Sequence, residues 1–133
     1  MAPIATKYED LICWQLSAQL RDEIVKLTSD GRTARDVEFT KQIRKSSSSS
    51  ASNMAEGFGA FYPKEFARFG RITRRSLIET RNHLKDGQKR GYFSEETTNR
   101  LVHISFRSQK ALTRLIKYLD SLKDRPPGGW DLK

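Results

Sequence analysis

The side chains able to do chemistry in this sequence are few and scattered. The two histidines, His83 and His103, fall in separate segments, and neither belongs to a cluster with metal-ligand spacing. His103 stands among lysines and arginines, which suits a surface contact better than catalysis. Cys13 is the single cysteine, so neither an internal disulfide framework nor a thiolate metal cluster can form within one chain. Its helical register with Ser17, Leu20, Ile24 and Leu27 marks a buried, inert thiol. Gly57-Phe58-Gly59 lacks the lysine and following Ser/Thr of a phosphate-binding loop and reads as a helix stop. Asn53 and Glu56 admit two readings. An acid in the last helical turn opposes the helix dipole and needs a compensating donor, with Asn53 one turn earlier to join it. Such a pair is either a structural polar clamp on the turn or a partner-contact site. No catalytic residue, metal ligand or cofactor is assigned, and the sequence reads as that of a non-enzymatic protein.

What remains is charge. Among 133 residues, 25 Lys+Arg stand against 16 Asp+Glu, a formal net charge of +9. Residues 1–60 hold eight basic and eight acidic side chains, whereas residues 61–133 hold seventeen and eight, so the whole excess lies in the second half. Such asymmetry points to an anionic partner, above all nucleic acid; the competing reading is a solubilising surface. No apolar run approaches the roughly 18 residues of a membrane span, and the opening Met-Ala-Pro-Ile-Ala-Thr has no secretory character. A soluble, cytoplasmic protein with no membrane contact is the expectation.

Four helical patterns must position these charges, over about residues 8–28, 33–58, 63–90 and 94–122. Residues 1–7 read as an N-terminal extension and 123–133, with two prolines and two glycines in a row, as a flexible C-terminal tail. Strand signals are nearly absent and the connections short, which predicts an all-α, antiparallel up-down four-helix bundle. On the third helix Phe66, Phe69, Thr73, Ser76, Leu77, Thr80 and Leu84 share one face, and Lys64, Arg68, Arg71, Arg75, Lys85 and Lys89 lie opposite. On the fourth, Leu101, Ser105, Ser108, Leu112, Leu115, Leu119 and Leu122 form the core stripe. His103, Arg107, Lys110, Arg114 and Lys117 stand behind it. The first helix carries two stripes. Besides the one containing Cys13, a second comprises Leu11, Trp14, Ala18 and Val25. Self-association is the economical use for it; the alternative is that Trp14 caps the edge of the intramolecular core.

Residues 46–50 are five consecutive serines, by composition a flexible linker. Yet Phe39, Ile43, Ser46, Ser47, Ser50, Met54 and Gly57 track one helical face, which favours a helix held by tertiary contacts. Around this run the residues take on a family character. Asp10-Leu11-Ile12-Cys13-Trp14-Gln15, Gln42-Ile43-Arg44-Lys45 and Ser52-Asn53-Met54-Ala55-Glu56-Gly57 resemble stretches of the small bacterial proteins encoded within 23S rRNA intervening sequences. So do Phe66-Ala67-Arg68-Phe69, Ser76-Leu77-Ile78-Glu79-Thr80 and Gly91-Tyr92-Phe93-Ser94. The similarity runs in order over about residues 8–122. It departs at Ser48, Ser50 and Ala51, where the family commonly has Val, Ile and Pro. The resemblance implies a four-helix bundle assembling into a ring-like homopentamer. It extends to the accessory variability proteins of diversity-generating retroelements, basic bundles that bind a reverse transcriptase and nucleic acid.

The functional expectation is a non-enzymatic oligomer that holds nucleic acid, RNA or DNA, through Lys64, Arg68, Arg71, Arg75, Lys85, Lys89, Arg107, Lys110, Arg114 and Lys117. Regular ridges suit phosphate contact rather than base reading, and no aromatic interleaving marks a stacking platform. By resemblance a reverse transcriptase is a further partner. The alternative is a protein-interaction scaffold whose charges only solvate it.

Overall fold

Helix-ending signals divide the computed structural model, which describes residues 5–130, into helices with no strand among the described residues. A 3-10 turn, Tyr8–Asp10, precedes α1 (Ile12–Leu27). There follow α2 (Gly31–Arg35), α3 (Val37–Phe58), α4 (Pro63–Lys89) and α5 (Glu95–Asp120). Ser94 caps α5 by accepting from the Thr97 N–H at 3.0 Å, and Pro63 opens α4. Gly91 closes α4 at φ 81°, a left-handed conformation that a side chain would strain.

Two boundaries differ from the helical pattern of the sequence. The helix expected from residue 33 starts at Val37, because Asp36 turns its carboxylate onto the Phe39 N–H at 3.2 Å and begins a new helix. The helix expected from residue 8 starts at Ile12, because Leu11 is extended (φ −74°, ψ 124°) and breaks the register set by Tyr8–Asp10.

The four long helices pack in the cyclic order α1, α3, α4, α5, each against the next and α5 against α1. Cross-helix bonds give an antiparallel register throughout. Ser17 meets Ser108 at 2.9 Å between α1 and α5, and Thr73 donates to the Ser50 carbonyl at 3.0 Å between α4 and α3. Leu20, Ile24, Ile43, Met54, Phe66, Leu77, Leu84, Leu101 and Leu112 are fully buried where the four apolar faces converge. Cys13 lies there too, its Sγ 2.9 Å from the Met54 Sδ. Burial pushes its thiol up to about 12, so it stays protonated and unreactive at neutral pH.

The serine run is helical along its whole length. Ser47 donates to the Ile43 carbonyl at 2.9 Å and Ser50 to the Ser47 carbonyl at 2.7 Å, so the hydroxyls are satisfied within α3. Others bridge to α4: Ser49 to Ser76 at 2.9 Å, and Thr80 to Ser46 at 2.8 Å. Small hydroxyl side chains therefore let α3 and α4 approach while Ser46, Ser47, Ser49 and Ser50 each keep a partner, and a linker is excluded. Gly57 extends the same close approach. A Cβ there would stand 2.8 Å from the Phe69 Cβ and 2.9 Å from the Phe66 ring, so Gly57 is a packing residue as well as part of a helix stop.

The expectation of a flexible C-terminal tail is corrected up to residue 130. Trp130 is fully buried, its ring 5.2 Å from that of Phe66, and its carbonyl accepts from the Ala5 N–H at 3.1 Å. An indole is too large an apolar surface to leave in water when the bundle end offers a ring to pack on. Residues 1–4 and 131–133 of the expected terminal extensions lie outside the described residues.

Candidate nucleic-acid interface

The outer faces of α4 and α5 carry the cations because their inner faces are committed to the core. Lys64, Arg68, Arg75, Lys85 and Lys89 on α4 and Arg107, Lys110, Arg114 and Lys117 on α5 are all exposed. Arg71, half-buried, is the exception in pairing: it meets Asp120 of α5 at 2.7 Å, while no other ridge residue has a carboxylate within ion-pair distance among the described residues. Arg68 instead rests over the Phe69 ring at 4.8 Å. With 27 residues, α4 is about 40 Å long, so the ridge is extended enough to follow a nucleic-acid backbone over several phosphates.

The two ridges adjoin. That of α4 reaches α5 through Arg71 and Asp120, and that of α5 reaches α1 at a recess of about 250 Å³. Ile12, Leu16 and Ala111 supply its apolar lining, and Arg107, Lys110 and Arg114 its charge. The basic band is thus the outer faces of α4 and α5, bordering the start of α1.

Arg81 is a cation of the same half with a different use. It is 9% exposed and bridges α4 to α5, donating to the Gln109 side chain at 2.7 Å and to Ser105 at 3.3 Å, with its guanidinium 4.0 Å from the Phe106 ring centre. Burial pulls its pKa down from the usual arginine range. Helical periodicity does mark this residue, since it falls four positions after Leu77 and three before Leu84 on the inner side of α4.

The second stripe of α1 survives only in part. Leu11 (3% exposed) and Ala18 (7%) are covered within the chain, whereas Val25 remains exposed and Trp14 is half-buried against Tyr8 at 5.1 Å between ring centres. The cause is the break at Leu11, which takes that side chain off the helical wheel. Ile12, at 46% exposure, stands outward instead.

Nor does a Glu56 clamp hold the turn after α3. Glu56 is exposed and has neither a hydrogen bond nor an ion pair among the described residues. Asn53 bonds back to Ser49 of its own helix, at 2.8 Å to the carbonyl and 3.0 Å to the hydroxyl. The turn is made by backbone groups: the Gly59 N–H donates to the Glu56 carbonyl and the Ala60 N–H to that of Gly57, both at 3.0 Å.

Neither histidine joins a site. His83 Nε2 lies 3.5 Å from Glu79 Oε1 without forming a hydrogen bond, and His103 is exposed on the α5 ridge. No group of three or more His, Cys, Asp or Glu side chains among the described residues could hold a metal ion. No helix among them is long and apolar enough to cross a membrane.

One feature was not anticipated. Phe61 and Tyr62, in the turn between α3 and α4, are each 61% exposed, with ring centres 5.1 Å apart. The sequence signal is two adjacent aromatics between a helix stop and Pro63, where a loop offers no core face to receive them.

A family model described as 23S rRNA-intervening sequence protein matches residues 9–114. Among solved structures the fold is similar to a protein of unknown function from the S23 ribosomal protein family of Bacteroides thetaiotaomicron VPI-5482. The TM-score is 0.74 at 22% identity, covering 82% of this chain and 98% of that one. No curated protein sequence matches.

Proposed function

The chain belongs to the 23S rRNA-intervening sequence protein family, and from that premise we propose that it is a non-catalytic accessory protein holding nucleic acid by its phosphate backbone. One observation carries this reading: along two adjoining helices Lys64, Arg68, Arg75, Lys85, Lys89, Arg107, Lys110, Arg114 and Lys117 are exposed without a carboxylate partner among the described residues. Each such cation that meets a phosphate releases condensed counterions, so binding is strong at low salt and falls linearly in log–log form as salt rises. Contacts to the backbone tolerate any sequence. Fluorescence anisotropy with labelled RNA and DNA across a salt series tests it. The expected result is tight, sequence-tolerant binding with a steep salt slope. No binding to either at about 50 mM salt would overturn the proposal.

A homo-oligomer, in the ring-like pentameric form the family resemblance implies, multiplies the basic band around one particle and adds avidity. The outward Ile12, Val25 and half-buried Trp14 of α1 support such a contact. Mass photometry reads the assembly directly, and a monomer at micromolar concentration removes the multivalent mechanism. The accessory-variability branch would add a reverse transcriptase as partner; a reverse transcriptase gene and template repeat beside the coding sequence is the observation that selects it. The second reading, a protein-interaction scaffold, draws on the apolar lining of the recess between α1 and α5. An intact oligomer that ignores all nucleic acid would favour it.

A further inference from the structure

The turn between α3 and α4 holds two features that the basic band does not explain. The first is the aromatic pair. Phe61 and Tyr62 are the most exposed aromatic side chains of the described residues, at 61% each, and their rings stand edge-to-face at 80°. The second is a further cation, Arg125, set beside them at the head of the α4 ridge. The Arg125 guanidinium lies 5.8 Å from the Phe61 ring centre, Lys64 follows two residues after Tyr62, and Arg68 one turn further along α4.

The turn itself is well anchored. Ala60 and Pro63 on either side of the pair are buried, and the Phe66 N–H donates to the Tyr62 carbonyl at 3.1 Å. Arg125 also donates to the Ala60 carbonyl at 3.5 Å and lies 5.2 Å from the ring of Trp130, so the docked tail carries it to this place. The rings are thus presented outward from a fixed base, with little conformational freedom left to lose on binding.

Exposed aromatic faces beside cations are what a single-stranded nucleic acid requires. Unpaired bases stack on the rings while the cations take the neighbouring phosphates, whereas a duplex keeps its bases stacked on one another and offers only its backbone. A protein partner could also cover two aromatics, but Lys64, Arg68 and Arg125 against Glu65 and Asp124 leave the turn net positive, which favours a polyanion.

We infer that Phe61 and Tyr62 form a base-stacking step at the head of the α4 ridge, selecting single-stranded segments of nucleic acid over duplex. The inference rests on the backbone-binding reading above and adds the class of strand. Anisotropy at fixed low salt, with a labelled single strand of mixed sequence and a blunt duplex of equal length, tests it on the full chain. Replacing both residues by alanine (F61A with Y62A) should weaken single-strand binding at least about fivefold, with duplex affinity and salt slope unchanged. The double leucine variant, F61L with Y62L, should behave the same way, because leucine keeps apolar bulk but has no π-face. Both pairs leave the core untouched, so the thermal midpoint should match the parent protein. If either double variant binds single strands as the parent does, the stacking step is overturned and the pair belongs to a protein contact. If the parent protein binds neither strand form, the backbone-binding reading fails and takes this one with it. A parent that binds both forms equally overturns the stacking step alone.

Discussion

The two halves of this bundle use the same cationic side chains in opposite ways. In α1 and α3 arginine is consumed by the fold. Arg44 of α3 reaches back over the end of α1, donating to the Thr28 hydroxyl at 2.8 Å and the Val25 carbonyl at 3.2 Å. It adds a charged donor to a carbonyl of the last turn of α1, at the pole where a positive charge is favoured. Arg100 of α5 is paired with Glu23 of α1. In α4 and the rest of α5 the ridge cations face outward, with Arg81 the inward exception, and Arg71 alone of the ridge is held by a carboxylate among the described residues. Net charge is therefore a poor guide to a binding surface until the spent cations are set apart from the free ones.

The largest effect should come from the free set. Replacing Lys64, Arg68, Arg75, Arg107, Lys110 and Arg114 together by glutamine should lower nucleic-acid affinity on the order of 100-fold or more at low salt. The salt slope should shrink by about 0.9 for each lost phosphate contact on duplex DNA. Thermal stability should hold, since none of the six has a carboxylate partner among the described residues. A variant that binds unchanged would mean that these charges only solvate the protein. The converse experiment is Arg44→Ala, which should cost about 1–2 kcal/mol in chemical denaturation while leaving nucleic-acid affinity within error. Loss of affinity at full stability would erase the distinction between the halves.

The smallest effect concerns the joint where the halves meet. Asp36, at the head of α3, accepts from the Tyr92 hydroxyl at 2.6 Å and the Phe39 N–H at 3.2 Å, and pairs with Arg90 at 3.0 Å. The Tyr92 hydrogen bond, foremost, holds its carboxyl below the usual aspartate range. A folded pKa below the unfolded one lends stability that is complete above the unfolded value near pH 4. It is lost as pH falls through the folded value. Asp36→Asn should therefore flatten the acid side of the stability profile below about pH 4 and leave its neutral side parallel to the parent's. Equal acid sensitivity in the two proteins would show that the joint contributes no pH dependence.

Much of the architecture was legible because helical periodicity is a local property. All seven residues aligned on the apolar face of α3, from Phe39 to Gly57, are buried, including three serines whose composition argued for a linker. The pattern prevailed over composition because hydroxyls close their bonds within a helix and so can be buried at little cost. Leu11 falls off its expected stripe for the complementary reason. A wheel drawn through residue 8 assumes unbroken helix, and the extended backbone of Leu11 ends that phase. Glu56 was misread because a helix-dipole argument assumes burial, while an exposed carboxylate is compensated by water.

The amino-acid order by itself determined four amphipathic helices, their short connections and the half of the chain that bears the excess charge. Each depends on residues within a few turns of one another. The tertiary structure decided which cations remain free, that Arg81 turns inward to Gln109, that Trp130 docks on Phe66, and that Phe61 and Tyr62 stand in water. These outcomes hinge on side chains brought together from distant parts of the chain. Whether a charge or a ring is satisfied depends on neighbours that only the packed bundle supplies.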